Sequence, residues 1–190
     1  MDEMFAYQQQ VAGVPLKYHA LTAPQLVAQA RTRFEGKELT QYESCVDAVV
    51  SWAHDPQSPF LVLSGSTGSG KSALAACVCG ESDGVPGWVS AQSACERFRS
   101  QTETPQSLLH RGRPLVVDDL GCEYATYFST TAIDALVACA YDEEWPLVLT
   151  TNMNAEQLAD AYTPRFVDRL VEMSLWLVMD FQSFRRPKGV

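Results

Sequence analysis

The stretch F-L-V-L-S-G-S-T-G-S-G-K-S, Phe60 to Ser72, is the key to this chain, because a short apolar run feeds a glycine-rich turn that ends in Lys-Ser. Gly65, Ser66, Thr67, Gly68, Ser69, Gly70, Lys71 and Ser72 satisfy G-x-x-x-x-G-K-[ST] at every fixed position. The chemistry requires that spacing. Glycines let backbone N–H groups converge on a β-phosphate, the lysine reaches the β- and γ-phosphates, and the serine hydroxyl is offered to Mg²⁺. The run A-L-A-A-C-V-C, Ala73 to Cys79, reads as a buried helix starting near Lys71, which would aim the positive end of its dipole at the phosphates. A Gly/Ser-rich linker also produces chance matches. The apolar strand before the loop and the helix after it favour the phosphate cradle, with Gly65 through Ala73 as the binding segment.

The chain has 190 residues, 46% of them hydrophobic, which suits one globular domain able to bury most of its apolar surface. No stretch approaches the roughly 20 apolar residues of a membrane span. The start M-D-E-M-F-A-Y is acidic where a secretory signal would be basic, so the expectation is a cytoplasmic protein without membrane contact. Cys45, Cys77, Cys79, Cys95, Cys122 and Cys139 are scattered without C-x-x-C pairs and read as reduced core cysteines. A net charge of −9 opposes wholesale nonspecific binding to nucleic acid. Any such contact has to be local.

Along the chain, residues 1–20 read as an N-terminal arm or linker, with too few periodic apolar positions for a helix, and residues 21–190 as the domain that carries the phosphate loop. Helices are expected over Pro24–Phe34 and Lys37–His54, from Lys71, and over Ser93–Ser100, Pro105–Arg111, Thr130–Tyr141, Ala155–Tyr162 and Pro164–Glu172. Strands are expected at Leu61–Leu63, Trp88–Ser90, within Pro114–Gly121, at Leu147–Asn152 and in the final L-W-L-V-M. Alternating strands and helices predict an α/β fold with a parallel sheet covered on both faces.

Two further strand ends carry chemistry. P-L-V-V-D-D-L-G, Pro114 to Gly121, delivers two carboxylates to a strand terminus. Alone they would read as a turn. Beside a phosphate loop, Asp118 is placed to hold Mg²⁺ through water and Asp119 to orient or deprotonate an attacking water. L-V-L-T-T-N, Leu147 to Asn152, ends on the same edge of a parallel sheet. Asn152 could there hydrogen-bond a γ-phosphate or the water. Its alternative role, capping a helix, falls better to Asn154 with Gln157.

These three signals, with Y-T-P-R-F-V-D-R-L and S-L-W-L-V-M-D-F-Q-S-F-R after them, resemble the DnaC/IstB family of AAA+ ATPases from about Val11 to Arg185. V-P-L-K-Y at Val14 to Tyr18 is similar to the short segment that leads into the family's core. The resemblance implies a P-loop NTPase of the AAA+ ASCE type with a five-stranded parallel sheet, binding ATP and Mg²⁺. It makes Gly65–Ser72 Walker A, Asp118 and Asp119 Walker B, and Asn152 sensor 1. It also implies that an arginine finger is drawn from Arg165 and Arg169. One helical turn apart, these two share a helix face, and a guanidinium supplied by a neighbouring subunit stabilises charge on a transferring phosphoryl group. Surface ion pairs with Asp168 or Glu172 are the plainer alternative. The chain ends about ten residues after its last strand, so no helical lid domain is expected. About 40 to 50 residues precede the core, which makes a separate helicase-binding domain unexpected too.

The family includes helicase loaders and transposon ATPase subunits, so the implied partners are a DnaB-like replicative helicase, or alternatively a transposase, and single-stranded DNA. An ATP- or DNA-driven homo-oligomer is also implied. The loop Gly121–Thr131 holds aromatic residues that could stack on unpaired bases, and the resemblance points to Phe98, Thr126 and Phe128 as DNA contacts. Arg97, Arg99, Arg111 and Arg113 cluster nearby in sequence. The alternative is that Phe98 and Phe128 are core residues and the arginines a solvated face. A small-molecule P-loop kinase is a third class, disfavoured because the Arg165/Arg169 pair sits near the last strand and not in a lid loop.

Overall fold

The computed structural model describes residues 2–123 and 126–185. Strands β1 (Phe60–Ser64), β2 (Gly87–Ser90), β3 (Leu115–Leu120), β4 (Leu147–Thr151) and β5 (Ser174–Val178) form a five-stranded sheet in the order β2-β3-β4-β1-β5, every pairing parallel. Around it lie α1 (Asp2–Ala12), α2 (Ala23–Arg31), α3 (Gly36–His54), α4 (Lys71–Glu81), α5 (Ala91–Arg99), α6 (Pro105–Leu109), α7 (Tyr127–Asp142), α8 (Ala155–Ala161) and α9 (Pro164–Met173). Each expected strand and helix is present within a few residues of its expected limits.

The run Phe60–Ser64 is apolar without alternation because both of its faces are covered. Successive strand side chains point to opposite faces. Leu61 and Leu63 enter a core with Val46, Trp52 and Leu74 from α3 and α4, while Phe60 and Val62 enter a second core with Ile133, Leu136, Phe166 and Leu170 from α7 and α9. The continuous hydrophobic run is therefore the mark of a central parallel strand.

Two expectations need correction. Residues 2–20 do not run free as an arm. They carry α1, packed on α4, and a 3₁₀ turn at Leu16–Tyr18. Phe5 lies against Gly80, where a Cβ would collide with its ring. Gln9 is fully buried, its Nε2 donating to the Ala76 carbonyl at 2.9 Å and its Oε1 accepting from the Ala20 N–H at 2.7 Å. A helix anchored by one aromatic and one buried amide leaves little trace in apolar periodicity.

The second correction concerns α7, which begins at Tyr127 and not Thr130. The Thr126 side chain accepts from the Ser129 N–H at 3.2 Å, satisfying a free donor of the first turn. Tyr127 and Phe128 thus sit on a helix, not in an open loop. Tyr124 and Ala125, the other part of the expected aromatic loop, lie outside the described residues. The Asn154–Gln157 capping box forms as expected and starts α8.

Candidate nucleotide-binding site

The C-terminal ends of β1, β3 and β4 meet at one sheet edge. β1 pairs Ser64 with Thr151 of β4, and β3 pairs Leu120 with the same Thr151. Between Val117 and Leu120 the β3–β4 register shifts, and Asp119 takes a φ of 59°. Asp tolerates this left-handed conformation better than most residues. The irregularity separates the two carboxylates: Asp118 stays buried and Asp119 turns outward.

Asp118 Oδ1 accepts from the Thr150 hydroxyl at 2.6 Å, and the same hydroxyl oxygen accepts from the Asp119 N–H at 2.9 Å. Burial pushes the Asp118 carboxyl above its ordinary value, opposed by hydrogen bonds from Thr150 and Ser72. Lys71 is pushed the other way by burial, against the attraction of Asp119 and Asp118. Its Nζ donates to the Gly65 and Ser66 carbonyls at 2.8 and 2.7 Å, which holds the ammonium across the loop.

A cavity of about 300 Å³ opens over this edge. Thr67, Gly68, Gly70, Lys71, Ser72 and Ala73 line it from the loop and α4, Asp119 from β3, and Asn152 from the turn after β4. The sheet edge thereby brings most of the expected phosphate, carboxylate and asparagine groups to one space. Lys17, Tyr18, Leu21 and Leu26 supply a second wall.

The outer side of the loop is strapped by residues 179–185. The Met179 N–H donates to the Ser64 carbonyl at 2.6 Å, the Ser66 hydroxyl to the Phe181 carbonyl at 3.1 Å, and the Phe184 N–H to the Gly68 carbonyl at 2.9 Å. Asp180 Oδ1 accepts from the Ser66 N–H at 3.2 Å. Gly65, at φ 141°, passes so close to Met179 that a Cβ would strike its backbone. Phe181 and Phe184 pack with Phe34 and Tyr42 at ring-centroid distances of 5.1–5.7 Å.

No protein-family model matches the chain. Its sequence is 27% identical over 135 residues to the replicative helicase loader DnaC of Escherichia coli (strain K12), across 65% of this chain and 55% of that protein. The chain thus spans about half the length of the curated relatives it matches. Its fold superposes on the crystal structure of the DnaC helicase loader with a TM-score of 0.69 at 18% identity, covering 87% of this chain and 100% of that one. The chain is thus DnaC-like in sequence and in fold. DnaI superposes at a TM-score of 0.64 and 17% identity over 94% of this chain and 99% of that one. AMPPCP-bound DnaA from Aquifex aeolicus does so at 0.65 and 16%, over 89% of this chain and 52% of that one.

In this DnaC-like chain, Arg165 and Arg169 are not at the cavity. Both lie on α9, whose Phe166 and Leu170 are buried. Arg169 donates to Asp134 Oδ1 of α7 at 3.0 Å, and Asp134 Oδ2 accepts from the Thr163 hydroxyl at 3.1 Å. Arg165 is exposed and makes no ion pair among the described residues. Neither pairs with Asp168 or Glu172; Glu172 accepts from the Tyr141 hydroxyl at 2.8 Å.

The expected DNA-facing residues also divide. Phe98 is buried in the second core, while Phe128 is 40% exposed with the Arg99 guanidinium 5.3 Å from its ring centre. Arg97 and Arg111 both pair with Glu103 and Arg113 lies over the Trp145 ring, so of the four clustered arginines only Arg99 faces one of the expected DNA-contact residues. The six cysteines are free; Cys77, Cys79 and Cys95 are buried and Cys122 is exposed. Among the described residues no helix is long and apolar enough to cross a membrane.

Thr150, Tyr42, Phe184 and Arg185 are site residues that motif matching did not single out. Arg185 lines the cavity from the C-terminal strap. The F-Q-S-F-R close of the resemblance contained Phe184 and Arg185, and the T-T of L-V-L-T-T-N contained Thr150. Tyr42 left no signal beyond its place in a helical apolar stripe.

Proposed function

We propose that this chain is an ATP-dependent, helicase-loader-like AAA+ ATPase of DNA replication, cytoplasmic, which binds ATP with Mg²⁺ and acts on a replicative helicase. The observation that carries this is the convergence of Lys71, Asp119 and Asn152 on one cavity, with Ser72 and the buried Asp118 beside them. The backbone of Gly65 through Ala73 cradles the phosphates and the α4 N-terminus faces them. Lys71 exchanges its loop carbonyls for β- and γ-phosphate oxygens.

The donor set fits Mg²⁺. Among the described residues no cluster of three His, Cys, Asp or Glu side chains could hold a metal. Mg²⁺ at such a site needs only one or two protein groups, because phosphates and waters complete its shell. Ser72 would ligate it directly and Asp118 through water; bound there, it neutralises charge on the β- and γ-phosphates. Asp119, turned into the cavity, orients the attacking water and accepts its proton as the γ-phosphorus–oxygen bond to ADP breaks. Asn152 holds the water or the γ-phosphate in line.

The finger is assigned to Arg165 of a neighbouring subunit in an ATP- or DNA-driven homo-oligomer. Its exposure and the absence of an ion-pair partner among the described residues support this, whereas Arg169 is committed to Asp134 and positions α9 against α7. The DnaC relative is named a replicative helicase loader, and by that likeness the protein partner is a DnaB-like helicase. Single-stranded DNA would be met by Phe128 with Arg99, and by the 88% exposed Tyr127 beside them.

Titration of ATP and measurement of turnover test the site. Lys71→Ala should abolish binding, and Asp119→Asn should bind ATP but hardly hydrolyse it. Equal loss of binding in both overturns the division of roles. Co-migration with the purified host helicase in ATP, and not in ADP, tests the partner; separate elution in both would remove the loader reading.

A further inference from the structure

Tyr42 of α3 is fully buried, and its hydroxyl has no hydrogen-bond partner among the described residues. Its ring is held by Phe34, Phe181 and Phe184, contacts that a phenylalanine would make equally well. The hydroxyl points at the phosphate loop: a Cβ built on Gly70 would come within 3.3 Å of it. Tyr42 also forms part of the wall of the nucleotide cavity, together with Gly70 and Lys71. The other buried hydroxyls without a partner among the described residues, Ser69 and Ser174, do not line that cavity.

A buried donor without an acceptor destabilises the fold. Retaining one in an aromatic cluster where packing does not require it indicates an acceptor that arrives with a ligand. We infer that Tyr42 is a nucleotide-binding residue, whose hydroxyl donates to an acceptor of the bound nucleotide where it passes Gly70. The inference rests on the nucleotide site proposed above.

Tyr42→Phe tests this with two readouts of opposite sign. Calorimetric titration of the full chain with Mg-ATP should show affinity reduced by about tenfold, the ordinary weight of one lost hydrogen bond. The ligand-free variant should melt higher than wild type by about 3 °C, because the unpartnered donor is gone. Titration with inorganic tripolyphosphate locates the acceptor. A loss seen with ATP alone supports a nucleoside acceptor, and a loss with both supports a phosphate oxygen. Unchanged affinity for both, in a wild type that binds ATP, overturns the inference alone. A lower melting temperature of the ligand-free variant also overturns it, since the hydroxyl would then have a partner within the protein. Failure of wild type to bind ATP would instead remove the nucleotide site itself.

Discussion

The hydroxyl of Thr150 donates to Asp118 Oδ1 at 2.6 Å and ties the end of β4 to the buried carboxylate of β3. Its oxygen also accepts the Asp119 N–H, so one side chain fixes both acidic residues. Thr150→Val preserves shape and deletes both bonds. Stability should fall by about 1–3 kcal/mol, the cost of leaving a buried charged acceptor short of a donor. ATP turnover should fall more than ATP binding, because Asp119 loses its backbone anchor, and Thr150→Ser should recover both. Chemical denaturation and steady-state turnover measure the two effects; a Val variant hydrolysing at the wild-type rate would contradict this role.

The raised carboxyl of Asp118 makes stability depend on pH. Burial disfavours its ionised form in the folded chain, so its contribution is fully present below the unfolded value and is lost as pH rises through the higher folded value. Asp118→Asn removes that penalty. The ligand-free variant should therefore melt above wild type at neutral pH, with the difference shrinking toward about pH 4, near the ordinary carboxyl value. Thermal melts across that range decide it, and a difference independent of pH would assign the effect elsewhere.

Arg165 and Arg169 should separate by their effects on stability and on assembly. Arg169→Ala breaks a partly buried pair with Asp134, both side chains about one-quarter exposed, and should cost about 1–2 kcal/mol of stability. Arg165→Ala should stay within about 0.5 kcal/mol of wild type. Assembled turnover should nonetheless collapse, since fingers contribute on the order of 10³-fold or more in well-studied NTPases. Mixing Arg165→Ala with Asp119→Asn should restore part of the activity, one protein supplying the intact site and the other the intact finger. Mixtures that stay inactive where wild type is active would place the arginine's action within its own subunit.

Phe98 and Phe128 should also part. Phe98→Ala opens a core and should cost about 3–5 kcal/mol, with DNA binding lost only as the fold is lost. Phe128→Ala should leave the melting temperature nearly unchanged and weaken single-stranded DNA binding in ATP. That binding should depend shallowly on salt, because Arg99 is left beside Phe128 while Arg97 and Arg111 pair with Glu103. Fluorescence anisotropy over a salt series measures both quantities. A steep salt slope would mean that the Glu103 pairs open to phosphates.

The parallel sheet and the composition of the site were legible in the sequence for local reasons. A strand buried on both faces must be continuously apolar, as Phe60–Leu63 is, and a phosphate loop needs glycines where the backbone turns left-handed or meets Met179. The ends of β1, β3 and β4 then fall on one edge because parallel strands share a direction, which is why the sequence alone groups Lys71, Asp119 and Asn152.

What depended on distance across the fold was not legible. Gln9 docks α1 through Ala76, 67 residues away, and Thr150 holds Asp118 from 32 residues away. Arg97 and Arg111 are paired with Glu103, and Arg169 with Asp134, while Arg165 stays exposed. Spacing places Arg165 and Arg169 alike on a helix face, but only the neighbouring helix α7 makes them different. The unpartnered hydroxyl of Tyr42 belongs to the same class: a residue's type and period record what can be buried, and tertiary packing decides which polar atoms find partners and which are left facing a ligand.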